Sequence, residues 1–266
     1  MVGGVFGRRP ERLEVGADRL AVGGRGRGAH RGPPAAGSPS RSHPRNRRAI
    51  RAYLETLWPA PEDAPAYAHV VVWEKAEKSS RWFRLVDGLG PVVDHLHRVA
   101  ATTDAYVAVA ALDGRAVPPP ERASHRGKAE HALLVPALYL DVDVAGPGHV
   151  ATDLPATAGA ALAALAEDFL PRPTMVVATG GGLHLYWCLK EPLELGDEVS
   201  RVAAATLLGR LQLTVQTHWR RRGWRLDAVA ELARVLRPAG TLNHKVPAAP
   251  RPTSLRAADG GARWPP

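Results

Sequence analysis

The run Leu133–Val144 constrains the fold of this chain more than any other segment, because it is almost wholly apolar and then ends in two carboxylates, Asp141 and Asp143. Such a run reads as a buried strand reaching a cleft. In a strand, residues two apart share a face. Tyr139, Asp141 and Asp143 therefore point one way, while Leu138, Leu140 and Val142 pack the other. Two carboxylates side by side repel one another unless a cation neutralises them, and hard oxygen ligands suit Mg²⁺ or Mn²⁺. The same spacing also occurs in glycosyltransferases, in phosphatases and at plain solvated strand ends, so the pair alone leaves metal binding open.

A second constellation follows at Thr179–Trp187. Gly180, Gly181 and Gly182 separate the expected strands Thr174–Thr179 and Leu183–Leu189, a hairpin-like arrangement with glycine at the bend. Glycines let a backbone approach phosphate oxygens closely and offer its N–H groups to them. His184 opens the next strand on the face shared with Tyr186 and Cys188, where it can donate to a triphosphate or be a satisfied core histidine. A third constellation contains Asp227, Arg234, Arg237, Gly240, Thr241, Asn243 and Lys245. Asp227 stands at the start of an expected helix, where it could simply be an N-cap. Arg234 and Arg237 would share a face of that helix and, with Lys245, offer three cations to a phosphate group.

Between these motifs the periodicity predicts a helix through Ile50, Tyr53, Leu54 and Leu57, a strand His69–Trp73, and a helix through Val92, Val93, Leu96 and Val99. It continues with a strand Ala105–Leu112, a Pro-rich basic loop Val117–Lys128, and helices Thr152–Leu170 and Gly196–Arg222. Strands alternating with helices, and a hairpin among them, imply α/β or α+β with a mixed sheet. Residues 1–47 are rich in Gly, Arg, Pro and Ser without period, and read as a disordered basic N-terminal tail; residues 251–266 read as a flexible C-terminal end. The net charge of +9 suits a polyanionic partner, although part of it lies in the tail. A single cysteine excludes a disulfide framework and a Cys-rich zinc site. No apolar run long enough to span a bilayer and no apolar leader is present, so a cytoplasmic protein without membrane partners is expected.

Taken in order, the three motifs resemble the archaeo-eukaryotic primase superfamily, in particular the bifunctional primase-polymerase domains of plasmids, phages and integrated elements. The resemblance runs from about Ile50 to the C-terminus and includes Arg126-Gly127-Lys128 ahead of the acidic strand. It implies an α+β fold: an RNA-recognition-like sheet bearing catalytic carboxylates, joined to a smaller αβ unit, over residues 48–250. It implies that Asp141, Asp143 and Asp227 hold Mg²⁺ or Mn²⁺ as catalytic metal ligands. His184, Gly181, Gly182, Arg234, Arg237 and Lys245 would then bind the nucleotide. The implied reaction is nucleotidyl transfer from nucleoside triphosphates on a single-stranded DNA template, with a helicase supplied in trans. The family pattern Arg-Leu-Pro-Gly-Thr is here Arg237-Pro238-Ala239-Gly240-Thr241, with proline one place early, which could shift Asn243 and Lys245. Two other readings remain: a DNA-binding replication protein or remnant without turnover, and a glycosyltransferase that would leave the basic third motif idle.

Overall fold

A computed structural model describes residues 44–146, 151–168, 170–257 and 263–265. The expectation for the tail over residues 1–43 lies outside the described residues. Chain order is α1 (Pro44–Leu57), β1 (Ala68–Glu74), β2 (Ser79–Arg84), α2 (Gly90–Val99), β3 (Ala105–Ala108), β4 (Ala111–Asp113), α3 (Pro119–Arg122) and β5 (Ala132–Asp143). It continues with α4 (Ala158–Glu167), β6 (Met175–Ala178), β7 (Gly182–Glu194), α5 (Glu198–Arg220), β8 (Val235–Leu236), β9 (Leu242–Asn243), β10 (Arg251–Pro252) and β11 (Ser254–Ala257).

The fold is α+β. Among the described residues nine strands form one sheet in the order β11-β6-β7-β5-β4-β1-β3-β8, with β2 on the side of β1, and β9 and β10 form a separate ribbon. Neighbouring strands of the sheet are antiparallel rather than mixed. The reason is topological: β7 inserts between β5 and β6, so the crossover through α4 brings the chain back one strand further along. The expected strand Ala105–Leu112 is two strands, β3 and β4, because Val109 between them donates its N–H to the Arg234 carbonyl (2.9 Å).

Alternation along β5 and β7 sorts the core. Leu140, Val142, Leu183, Leu185 and Trp187 pack with Ala161 and Leu165 of α4 and with Val215 and Trp219 of α5. Tyr139, Tyr186 and Cys188 turn to the other side, where Ile50, Tyr53 and Leu54 of α1 meet Val92, Val93 and Leu96 of α2. Burial pushes the Cys188 thiol up to about 11, as expected of a small core side chain. Tyr53 and Tyr186 meet hydroxyl to hydroxyl at 3.2 Å, which satisfies both in a buried setting.

Several boundaries differ from the sequence reading. Helix α1 begins at Pro44, so residues 44–47 of the expected tail are helical, and Arg47 pairs with Asp94 of α2. Helix α4 starts only at Ala158, because the Thr157 hydroxyl accepts from the Ala160 N–H (3.0 Å) and caps it there. The C-terminal end is not a loose segment throughout: β11 pairs with β6, and Trp264 donates its N–H to the Cys188 carbonyl (2.9 Å). Strands β2 and β11 escaped the periodicity because both carry arginine at sheet margins, where one face is solvated.

The turn before β9 depends on Gly240, whose φ of +83° lies in the left-handed region. A Cβ there would stand 2.5 Å from the Asn46 carbonyl oxygen and 2.8 Å from the Ile50 nitrogen of α1. Gly240→Ala should therefore lose about 1–3 kcal/mol from backbone strain alone, and more from the clash. Chemical denaturation reads this directly, and a variant as stable as the parent would contradict the placement of the turn on α1.

Candidate active site

The cleft lies where the two arms of the sheet face each other, and it encloses about 280 Å³. One wall is the end of β5 and the turn into β7, with Asp141, Asp143, Thr179, Gly181 and His184. The other comes from Lys75, Tyr106, the segment Arg234–Arg237, and Asn243 and Lys245. Strand pairing sets the first wall: Asp141 lies opposite His184, and Asp143 opposite Gly182. Gly182 is required there, since a Cβ would stand 2.1 Å from the Val142 carbonyl oxygen.

Asp141 touches both walls. Its Oδ1 is 3.5 Å from His184 Nε2, and its Oδ2 is 3.4 Å from Arg234 Nη2. Both contacts are longer than a tight charge-assisted hydrogen bond, so the carboxylate keeps acceptor capacity. His184 is only 4% exposed. Burial pushes its pKa below the ordinary histidine value; the Asp141 charge and the Arg237 backbone oppose this, and the charges of Arg237 and Arg234 add to it. The imidazole is therefore neutral near pH 7. Its Nδ1 is buried without a hydrogen-bond partner among the described residues, as are Nε of Arg234 and Nε of Arg237. Buried donors of this kind are unusual unless a ligand or water completes them.

Arg237 is positioned by a residue the sequence did not single out. Its Nη2 donates to Asp104 Oδ1 at 2.9 Å and to the Tyr106 hydroxyl at 2.8 Å, and its guanidinium lies 4.7 Å above the Tyr106 ring centre. Burial raises the Tyr106 hydroxyl above its ordinary range, with Arg237 opposing. Asp104 also accepts from the His244 N–H at 2.7 Å, and Lys75 Nζ is 3.9 Å away. One buried carboxylate thus anchors a cation and the start of the loop that carries Lys245. Asn243 ties the same loop to the glycine turn: its Nδ2 donates to the Thr179 carbonyl (2.8 Å), and its Oδ1 accepts from the Lys245 N–H (3.0 Å). Pro238, one place early, does not move Asn243 or Lys245 out of the cleft, because its carbonyl accepts from Thr241 and Thr253 and closes the turn.

The third motif needs correcting in two places. No helix forms between Arg225 and Leu236; Val235–Leu236 is the strand β8, so Arg234 and Arg237 reach the cleft from a sheet edge, not from a helix face. Asp227 does not line the cleft. Its side chain is 57% exposed and lies 3.4 Å from Arg225 Nε, on the irregular segment after α5. A negative charge so close to an arginine, and free to reach water, is satisfied where it stands. Among the described residues no group of three or more His, Cys, Asp or Glu is arranged to hold a metal. Asp141 and Asp143 still fit a hard divalent ion: Mg²⁺ commonly takes one or two carboxylates and fills its remaining positions with water and phosphate oxygens. Beside the cleft, a second chamber of about 260 Å³ is lined by Trp73, Arg126 and Glu231 and shares Lys75, Tyr106 and Arg234 with it.

No protein-family model matches the chain, and no curated protein is similar to it in sequence. Solved structures are similar in fold. The AEP domain of the cyanophage S-2L primase-polymerase superposes with a TM-score of 0.52 at 17% identity, covering 82% of this chain and 93% of that one. The catalytic domain of primase RepB' in complex with initiator DNA gives 0.46 at 17% identity, over 83% of this chain and 88% of that one. The chain is therefore similar in fold to the AEP domain of a primase-polymerase, the fold that the motif order implied.

Two outcomes follow from the electrostatics. Asp104→Ala should destabilise the protein by about 3–5 kcal/mol in chemical denaturation, because it strands the Arg237 guanidinium in a buried setting. Asp94→Ala, which breaks the exposed pair with Arg47, should change stability by less than about 1 kcal/mol. His184 has a folded pKa below its unfolded value, so the unfolded chain binds more protons in between. Stability is therefore full above the unfolded histidine value and falls as pH drops below it. Burial lowers His69, His95 and His131 in the same direction. His184→Gln should make the loss between about pH 6.5 and 5 shallower but not abolish it; an unchanged slope would mean that His184 is not buried neutral.

Proposed function

We propose that the protein is a metal-dependent nucleotidyltransferase that extends a nucleic-acid strand from nucleoside triphosphates on a single-stranded DNA template. The observation that supports it most is the opposition within one small cleft of two carboxylates, Asp141 and Asp143, to Lys75, Arg234, Arg237 and Lys245. A pure nucleic-acid binder gains nothing from carboxylates among its cations. An enzyme that transfers a phosphoryl group needs both, since catalysis there is mainly positioning and charge neutralisation.

In this reading Asp141 and Asp143 hold Mg²⁺ or Mn²⁺, which when bound neutralises the triphosphate and assists attack and departure. Arg237, Lys245 and the amides of the Gly181–Gly182 turn bind the triphosphate oxygens. Neutral His184 carries one N–H, which Nε2 offers to a triphosphate oxygen beside Asp141 without adding charge. Arg234, close to Asp141, restrains that carboxylate and faces the substrate with its remaining donors. Asp104 and Tyr106 hold Arg237 in place; they are positioning residues. The likeness in fold to a primase-polymerase domain supports a place in DNA replication.

The test is incubation with single-stranded DNA, labelled triphosphates and Mg²⁺ or Mn²⁺, with and without a primer. Wild type should incorporate nucleotides, and Asp141→Ala/Asp143→Ala should reduce incorporation by at least about a thousandfold while template affinity persists or tightens. Absence of synthesis by wild type with either metal would refute the enzyme and leave a binding protein.

A further inference from the structure

The cleft uses only part of the chain's positive charge. At the end of α5, Trp219–Arg225 gathers four arginines and two tryptophans in seven residues, and none of them lines the cleft. Basic residues at a helix C-terminus offset its dipole, and the fold holds one of these firmly: Arg222 lies 2.8 Å from Asp168 and 3.1 Å from Glu167. Arg220 and Arg221 have no acidic partner among the described residues. Arg225 has only the exposed Asp227, at 3.4 Å.

These arginines flank a formed cavity. Gly223, with φ of +72°, turns the chain back so that the Trp224 N–H donates to the Trp219 carbonyl at 3.0 Å. Trp219 is fully buried, whereas Trp224, edge-on to it at 5.7 Å, is half-buried. Trp224 lines a cavity of about 310 Å³ together with Gln216, Arg220 and Arg225. The walls are braced: Gln216 Nε2 donates to the Leu226 carbonyl (3.0 Å), and the Arg225 N–H donates to the carbonyl of Asp153 (2.7 Å), the one acidic residue in the lining. The cavity shares no residue with the cleft.

We propose that this cavity is a second nucleic-acid contact that takes one nucleotide of a single-stranded chain. The base lies against the Trp224 ring, and the adjoining phosphates meet Arg220 and Arg225, with Arg221 at the rim. Arg220 and Arg221, without an acidic partner among the described residues, and Arg225, beside an exposed one, suit phosphate, and an aromatic ring next to them suits an unpaired base of any sequence. The inference rests on the cleft acting on a nucleic-acid strand. The chain segment from Arg225 to Arg234 is held to β5 midway, where the Tyr139 hydroxyl donates to the carbonyls of Val229 (2.8 Å) and Glu231 (2.7 Å).

The test is fluorescence anisotropy of the full chain with a labelled oligodeoxythymidylate of about fifteen nucleotides over a range of salt, with circular dichroism melts to verify folding of each variant. Arg220→Ala/Arg225→Ala should weaken binding about tenfold near 0.1 M salt and reduce the log–log salt slope by about 1.4, the value for two phosphates of a single strand. Trp224→Ala should weaken binding at least about fivefold and Trp224→Phe much less. With an abasic oligomer of the same length, Trp224→Ala should have no effect. The same losses should appear in the Asp141→Ala/Asp143→Ala background, which separates this contact from the cleft. Wild-type affinity and slope in the double-arginine variant would overturn the proposal. So would an equal drop on duplex DNA, which would mark a general polyanion surface. Failure of the enzyme reading is seen separately, as absence of nucleotide incorporation by wild type.

Discussion

The pairing of β5 with β7 is the constraint on which the rest depends. It runs from Leu134 opposite Glu194 to Asp143 opposite Gly182. A slip by one residue would turn Asp141 and Asp143 into the α4–α5 core and push Leu140 and Val142 into the cleft. The apolar face of β5 therefore fixes the direction of the carboxylates far more strongly than any contact the carboxylates make themselves. Gly182 completes the arrangement by letting the β7 backbone approach Val142 where any side chain would be excluded.

The second wall is held by charge. Asp104 and Arg237 are nearly buried, with side chains 6% and 11% exposed, and desolvation makes such a pair a poor source of net stability. Its value lies in specificity: it permits one position for Arg237, with Tyr106 beneath and His244 alongside. Exposed pairs elsewhere, such as Arg84 with Asp87, leave both partners in contact with water, which screens their attraction. The cleft thus combines a wall set by apolar register with a wall set by a buried ion pair.

How much of this was legible in the sequence follows from the range of the interactions. The carboxylates of β5, the glycine turn and His184 were readable because strand alternation and glycine chemistry are local. The basic groups of the last motif were readable as residue types, but their elements were not. The segment Arg225–Leu236 has helical spacing, yet its backbone groups are taken by distant partners: Val229 N–H by Gln212, and the carbonyls of Val229 and Glu231 by Tyr139. Asp227 looked like a third ligand because an acidic residue after an apolar one fits the motif; only the tertiary path shows it turned to solvent beside Arg225. Asp104 and Tyr106 carried no local signal, since Arg237 is 133 and 131 residues away from them.

That separation along the chain also orders events during synthesis. The acidic end of β5 leaves the ribosome well before Arg234, Arg237 and Lys245, which lie in the last part of the chain. Until they arrive, Asp141 has neither Arg234 beside it nor the other cations that this segment brings to the cleft. The cleft as a meeting of opposed charges therefore comes into being only when the segment from Arg234 to Lys245 reaches the end of β5.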